Sequence, residues 1–185
     1  SVSVPQAPSQ DPDWELLARS IVDIWSPGCE WGGSGTIVLD GSYILTNAHV
    51  AENPDGSGTM CDLNVGFTDR FTAPPDNYLP AEVVLLDADI DLAVLRLNDR
   101  VSGKPTTAWG RAPIDIQHQS LKLGEPISAL GYPGVGGLSI TYSEGSVSGT
   151  ITIPADNKGG TGEFIKTTDL NLNHGNSGGA AFNST

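Results

Sequence analysis

The chain has 185 residues, enough for one large or two small domains. Its 38% hydrophobic content, 23 Gly and 13 Pro describe a loop-rich globular protein and argue against a mainly helical one. Nine basic against 22 acidic residues give a net charge of −13 without any Lys/Arg cluster, so neither nucleic acid nor an anionic membrane surface is an expected partner.

Ser1 to Gln10 carries no charge and no core pattern, and residues 1–13 read as an extended tail. Asp11-Pro12-Asp13 is a helix start, with Asp11 as N-cap and Pro12 in the first turn. Trp14, Leu17 and Ala18 make the apolar face of a short helix. From Ile21 the pattern changes to short apolar runs broken by turns. Strands are expected at Ile21–Trp25, Gly35–Leu39, Tyr43–Thr46, Leu63–Phe67, Ala81–Leu86 and Ala93–Leu97, with Asp40-Gly41 as a hairpin turn. Short antiparallel strands at this spacing point to a small closed barrel. Val101 to Ile116 has little strand pattern and reads as a crossing between two domains, 14–105 and 106–185. A second series follows at Pro126–Leu130, Glu144–Ile153, Phe164–Thr167 and Ala180–Phe182. In the longest of these, Val147, Gly149, Ile151 and Ile153 alternate with Ser and Thr, the pattern of a half-buried strand. Its breaks include Pro133 to Gly137 and Asn157 to Gly160.

No apolar run reaches the length of a membrane span, and neither a starting Met nor a signal peptide is visible. No metal-ligand spacing, phosphate loop or dinucleotide fingerprint occurs; glycine-rich Gly131–Gly137 reads as a turn. No cofactor or metal is expected. Two cysteines, Cys29 and Cys61, flank His49. In the cytosol they would be separate buried thiols; in a secreted protein, one bridge around the histidine, which is the reading preferred here.

Three stretches carry chemistry. Ser177 sits between glycines in Gly175-Asn176-Ser177-Gly178-Gly179. A serine there needs a base to take its proton and N–H donors to hold an oxyanion. His49, in Thr46-Asn47-Ala48-His49-Val50, is the base at hand, with an unperturbed imidazole able to accept a proton near neutrality. Asp87, Asp89 and Asp91 lie ahead of an apolar run, and all three would share a face if extended. His118 has no such setting and reads as solvated. The order His, Asp, Ser is one of the chain orders of the catalytic triad.

These blocks, with Gly33-Ser34-Gly35-Thr36-Ile37-Val38 and Ala129-Leu130-Gly131-Tyr132-Pro133-Gly134, resemble the chymotrypsin-like serine peptidases, most closely the bacterial trypsin-like and HtrA (Deg) branch. The resemblance runs from about Ile21 to the end of the chain. It implies an all-β fold of two antiparallel six-stranded barrels with a short N-terminal helix. It also implies a serine endopeptidase acting on polypeptides through an acyl-enzyme. The triad would be His49, Asp91 (the acid directly before the apolar run) and Ser177, with the N–H groups of Gly175 and Ser177 as the oxyanion hole. Asn176 stands where digestive peptidases carry the Asp that pairs with a newly cut N-terminus, so that mode of activation is not expected. Asn171 falls near the pocket floor and favours small or apolar P1 residues; His174 is readable as a pocket rim or as surface. The family often has a disulfide near this histidine, though not at the positions of Cys29 and Cys61. Location in the extracellular space or the bacterial cell envelope, without membrane insertion, is implied.

Against six strands, the second series offers four, and the chain stops eight residues past Ser177. The second barrel is therefore expected to be incomplete, the chain to be a fragment with little activity alone, and its open edges to self-associate. The rival expectation is a peptidase-like module that binds peptides or a protein without turning them over.

Overall fold

The computed structural model describes residues 12–55, 57–108, 110–117, 120–134, 139–153 and 162–183. The N-terminal tail, Asp11, His118 and most of the two glycine-rich breaks after residue 134 lie outside these residues. A short helix, α1 (Trp14–Ala18), opens the described chain. Its N-cap is Asp13, two residues later than expected from Asp11: the Asp13 carboxylate accepts from the Leu16 N–H at 3.0 Å, satisfying a donor that the first turn leaves unpaired. The helix lies against the C-terminal sheet. The Trp14 ring meets Tyr142 at 4.7 Å and Phe182 at 5.8 Å between centroids.

Six strands then close a barrel: β1 (Ile21–Ser26), β2 (Trp31–Val38), β3 (Tyr43–Thr46), β4 (Leu63–Phe67), β5 (Asn77–Asp87) and β6 (Leu92–Leu97), in the order β1-β2-β3-β6-β5-β4. Closure comes from β1 pairing antiparallel with β4 through Asp23↔Gly66 to Trp25↔Asn64. The interior is packed with Val22, Ile24, Ile37, Ile44, Val65 and Leu95, each fully buried. Asp40-Gly41 does turn the β2–β3 hairpin, with Leu39 and Gly41 both at positive φ, which is why β2 stops at Val38 rather than Leu39. Two barrel strands, β2 and β5, begin four residues earlier than expected, at Trp31 rather than Gly35 and at Asn77 rather than Ala81. β2 starts at Trp31 because its glycines are strand residues that make room: a Cβ on Gly33 would lie 2.7 Å from Val50. β5 runs through Pro80, which stands just before the β6 pairing starts at Ala81↔Leu97.

A helical turn, α2 (Ala48–Ala51), follows β3. The segment after β6 crosses back over the barrel, tied by Ala108 N–H to Gly41 O at 2.8 Å and Ile114 N–H to Ile37 O at 2.8 Å. Arg111 anchors it further, donating to Arg19 O, Thr68 O and Asp69. The remaining strands, β7 (Pro126–Gly131), β8 (Thr141–Ile153), β9 (Gly162–Thr168) and β10 (Ala180–Asn183), form an open sheet ordered β10-β7-β8-β9. Its core is Ile21, Leu130, Tyr132 and Ile140 with α1 residue Ala18. The expected alternation along β8 does not persist. A bulge between Val147 and Gly149 shifts the register against β9, so Val147 is buried while Ile151 is half exposed. Among the described residues no helix is long and apolar enough to cross a membrane, a statement that does not extend to membrane β-barrels.

A partly buried carboxyl sits in β1. Tyr78 donates its hydroxyl to Asp23 Oδ2 at 2.8 Å. Burial pushes the Asp23 carboxyl above its ordinary range, and the Tyr78 bond offsets this only in part. The folded state therefore keeps this proton to higher pH than the unfolded state, and stability from this group falls as pH rises from about 4 through its raised value. Asp23→Asn retains an acceptor for Tyr78 and cannot ionise. Its stability relative to wild type is expected to increase with pH across that window and level off above it, in urea midpoints measured from pH 3 to 8. Parallel profiles for the two proteins would refute the assignment.

Candidate active site

α2 carries His49 to the rim of the barrel, immediately after β3. Asp91 begins the return into β6 at positive φ, an unusual backbone state for a residue other than glycine. That turn brings its carboxylate to the imidazole: His49 Nδ1 lies 2.8 Å from Asp91 Oδ2 and 3.0 Å from Oδ1. The His49 backbone N–H also donates to Oδ1, at 3.0 Å. Asn47 Nδ2 donates to Asp91 O at 2.9 Å. Of the three candidate acids, Asp91 is the one facing His49. Asp87 instead accepts the N–H groups of Asp89 and Ile90 and closes the turn between β5 and β6. The Asp91 side chain is largely buried, whereas that of His49 is 43% exposed and open to a reacting molecule. A carboxylate so placed can hold one imidazole nitrogen as N–H and leave the other as a base.

Ser177 lies in the turn between β9 and β10. Asn176 N–H bonds to Asn173 O at 3.1 Å, with Gly175 at φ +98° inside the turn, a conformation that glycine adopts readily. The carbonyls of this turn are all occupied. His174 O accepts from Gly134 N–H at 2.7 Å, Asn176 O from Gly179 N–H at 2.9 Å, and Ser177 O from Ser34 N–H at 2.7 Å. Gly175 O accepts from the Ser34 hydroxyl at 2.6 Å. Within a trans peptide the C=O and N–H point in opposite directions. Pinning His174 O therefore aims the Gly175 N–H away from Gly134, and pinning Asn176 O aims the Ser177 N–H away from Gly179. No protein acceptor takes either N–H among the described residues. A Cβ on Gly178 would run into Ser34 O and Thr46 Oγ1, so the turn packs directly on the barrel. Among the described residues no hydrogen bond joins His49 to Ser177; the two segments are tied instead through β2.

Asn171 and His174 are both exposed, Asn171 accepting from Asn173 Nδ2 at 3.4 Å. Cys29 and Cys61 form a disulfide with S–S 2.14 Å and Cα–Cα 6.0 Å, across 32 residues. It ties the β1–β2 turn to the segment leaving α2, where Cys61 N–H bonds to Ala51 O. No three His, Cys, Asp or Glu side chains are grouped as metal ligands among the described residues. Three residues that sequence reading left without a role belong to this site. Trp31 Nε1 donates to His49 O at 2.9 Å, Asn47 holds the Asp91 backbone, and Ser34 bonds to the Ser177 turn. Each lies within or beside a recognised block, which was the available signal; their partners are remote in sequence.

The family profile described as trypsin-like peptidase domain matches residues 33–185. A probable periplasmic serine endoprotease, DegP-like, of Halomonas elongata is 35% identical over 152 residues, covering 82% of this chain and 27% of that protein. The serine endoprotease DegS of Salmonella typhimurium is 34% identical over 152 residues, covering 82% and 36%. Among solved structures, that of Deg5 superposes with a TM-score of 0.69 at 28% identity, covering 92% of this chain and 77% of that one. The chain thus spans between about a quarter and a third of the length of these curated relatives.

Proposed function

This chain belongs to the trypsin-like peptidase family, and from that premise we propose that it is the catalytic unit of a serine endopeptidase. The observation that supports this best is a conjunction. One segment presents an imidazole oriented by a carboxylate, and the other presents a serine in a turn whose Gly175 and Ser177 N–H groups have no protein acceptor. Ser177 Oγ attacks a peptide carbonyl while His49 takes its proton. The oxyanion is held by the two N–H groups. His49 then returns the proton to the leaving amine, and water repeats the sequence to release the acyl group. Asp91 stabilises the imidazolium without itself being protonated. Asn171 and His174 line the substrate side in this reading, and the uncharged Asn171 favours small or apolar P1 residues. The DegP-like relative is described as periplasmic and both relatives as serine endoproteases, and we assign this chain to the same envelope setting.

The test is covalent. Purified protein is exposed to a fluorophosphonate probe, which reports an activated serine independently of side-chain preference. Labelling at Ser177, abolished in His49→Ala, is the expected result. A correctly folded wild-type protein that takes no label at Ser177 but captures peptides would establish the non-catalytic binding module instead.

A further inference from the structure

Ser34 is fully buried in β2, and each of its polar atoms is used at the junction between the barrel and the Ser177 turn. Its backbone N–H donates to Ser177 O at 2.7 Å. Its backbone carbonyl accepts from the Thr46 hydroxyl at 2.7 Å. Its own hydroxyl donates to Gly175 O at 2.6 Å and accepts from Tyr132 N–H at 2.7 Å. A serine hydroxyl has a single proton to give, and here it goes to a residue 141 positions away in the chain.

That bond has a directional consequence. The orientation of Gly175 is set by the two peptide groups on either side of it. His174 O, held by Gly134 N–H, fixes the peptide before it; Gly175 O, held by Ser34, fixes the one after. A glycine at positive φ has no Cβ to resist rotation, so its two flanking hydrogen bonds are what hold it. We propose that Ser34 is a positioning residue for the oxyanion hole: its hydroxyl locks the Gly175 peptide so that the Gly175 and Ser177 N–H groups stay aimed at the reacting carbonyl oxygen. Through its backbone carbonyl the same residue also accepts from Thr46, the last residue of β3, so the Ser177 turn and the strand leading to His49 meet at one residue. This rests on the serine-peptidase reading above, and adds to it a residue that touches neither substrate nor base.

The experiment compares Ser34→Ala with Ser34→Thr in the full chain. Alanine removes the hydroxyl and leaves Gly175 O without its donor; threonine keeps a hydroxyl at the same position. Two readouts are taken. In kinetics, normalised to protein titrated as folded, Ser34→Ala is expected to lower kcat by ~10²-fold, the order of losing one oxyanion donor, with KM changed by less than about threefold and the pH profile of kcat/KM unmoved. Ser34→Thr is expected to recover most of kcat. In nuclear magnetic resonance, the Gly175 and Ser177 amide signals are expected to move in Ser34→Ala while those of β4 and β5 stay in place. Amides of Gly175 and Ser177 that do not move would overturn the proposal whether or not the protein hydrolyses anything. An unlabelled, inactive wild type would sink the peptidase reading and leave the amide shifts to judge Ser34. Full kcat in Ser34→Ala, or equal loss of kcat in Ser34→Ala and Ser34→Thr with equal loss of thermal stability, would also overturn it, since either shows that the hydroxyl does not direct the turn.

Discussion

Peptide hydrolysis is expected to fall by about 10⁶-fold in His49→Ala and about 10⁴-fold in Asp91→Asn, with KM little changed in both. The two values differ because the groups do different things. In the proposed mechanism His49 is the proton acceptor, and without it Ser177 would keep a hydroxyl that is not nucleophilic at neutral pH. Asp91 is bonded to the His49 ring at Nδ1 and to the His49 backbone N–H. An asparagine there preserves the shape but can present an NH₂ to Nδ1, which favours the wrong tautomer. Ser177→Ala should match His49→Ala, and the double variant should be no worse than either, because in the proposed mechanism the residues act as one unit. Steady-state kinetics on a peptide substrate measures all of this. Asp91→Asn within tenfold of wild type, or Asp89→Asn as damaging as Asp91→Asn, would show that the acid has been misassigned.

Loss of the disulfide is expected to be the largest stability change available to a conservative double substitution. Cys29→Ser with Cys61→Ser opens a loop closed across 32 residues. On the chain-entropy estimate this costs about 3.5 kcal/mol, which for a protein of this size lowers Tm by about 10 °C. The bridge joins the β1–β2 turn to the segment leaving α2, while Trp31 holds the His49 carbonyl separately. Activity below the new Tm should therefore survive better than stability does. Calorimetry with and without reductant provides the measurement: reductant should lower the wild-type Tm to that of the double variant and leave the variant unchanged. A wild type insensitive to reductant, with the variant equally stable, would remove the bridge from the account.

The barrel strands were legible because each is a local signal. A short apolar run bounded by Pro, Gly or Asp needs no knowledge of its partner, and Tyr43–Thr46 and Leu63–Phe67 were readable to the residue. Errors arose where packing overrides the local pattern. Trp31 to Ser34 look like loop because glycines disfavour strands, yet crowding from Val50 demands them. Asp11-Pro12 looks like a cap, yet Asp13 is the residue whose carboxylate reaches a free N–H. The outer half of β8 looks half buried, yet one bulge at Val147 and Gly149 turns Ile151 outward.

The sequence by itself determined the family, the barrel that carries His49 and Asp91, and the glycine turn that carries Ser177, because residue type and spacing along the chain are sufficient for these. It did not select among Asp87, Asp89 and Asp91 except through resemblance; the positive φ at Asp91 and the turn closed by Asp87 put one carboxylate on the imidazole. Nor did it show that α1 packs on the C-terminal sheet through Trp14, or that Ser34 spends its single hydroxyl proton on Gly175. Those were decided by the tertiary structure alone. A hydrogen-bond donor is spent on whichever acceptor the fold brings within 3 Å, and when that acceptor is 141 residues away no local pattern records it.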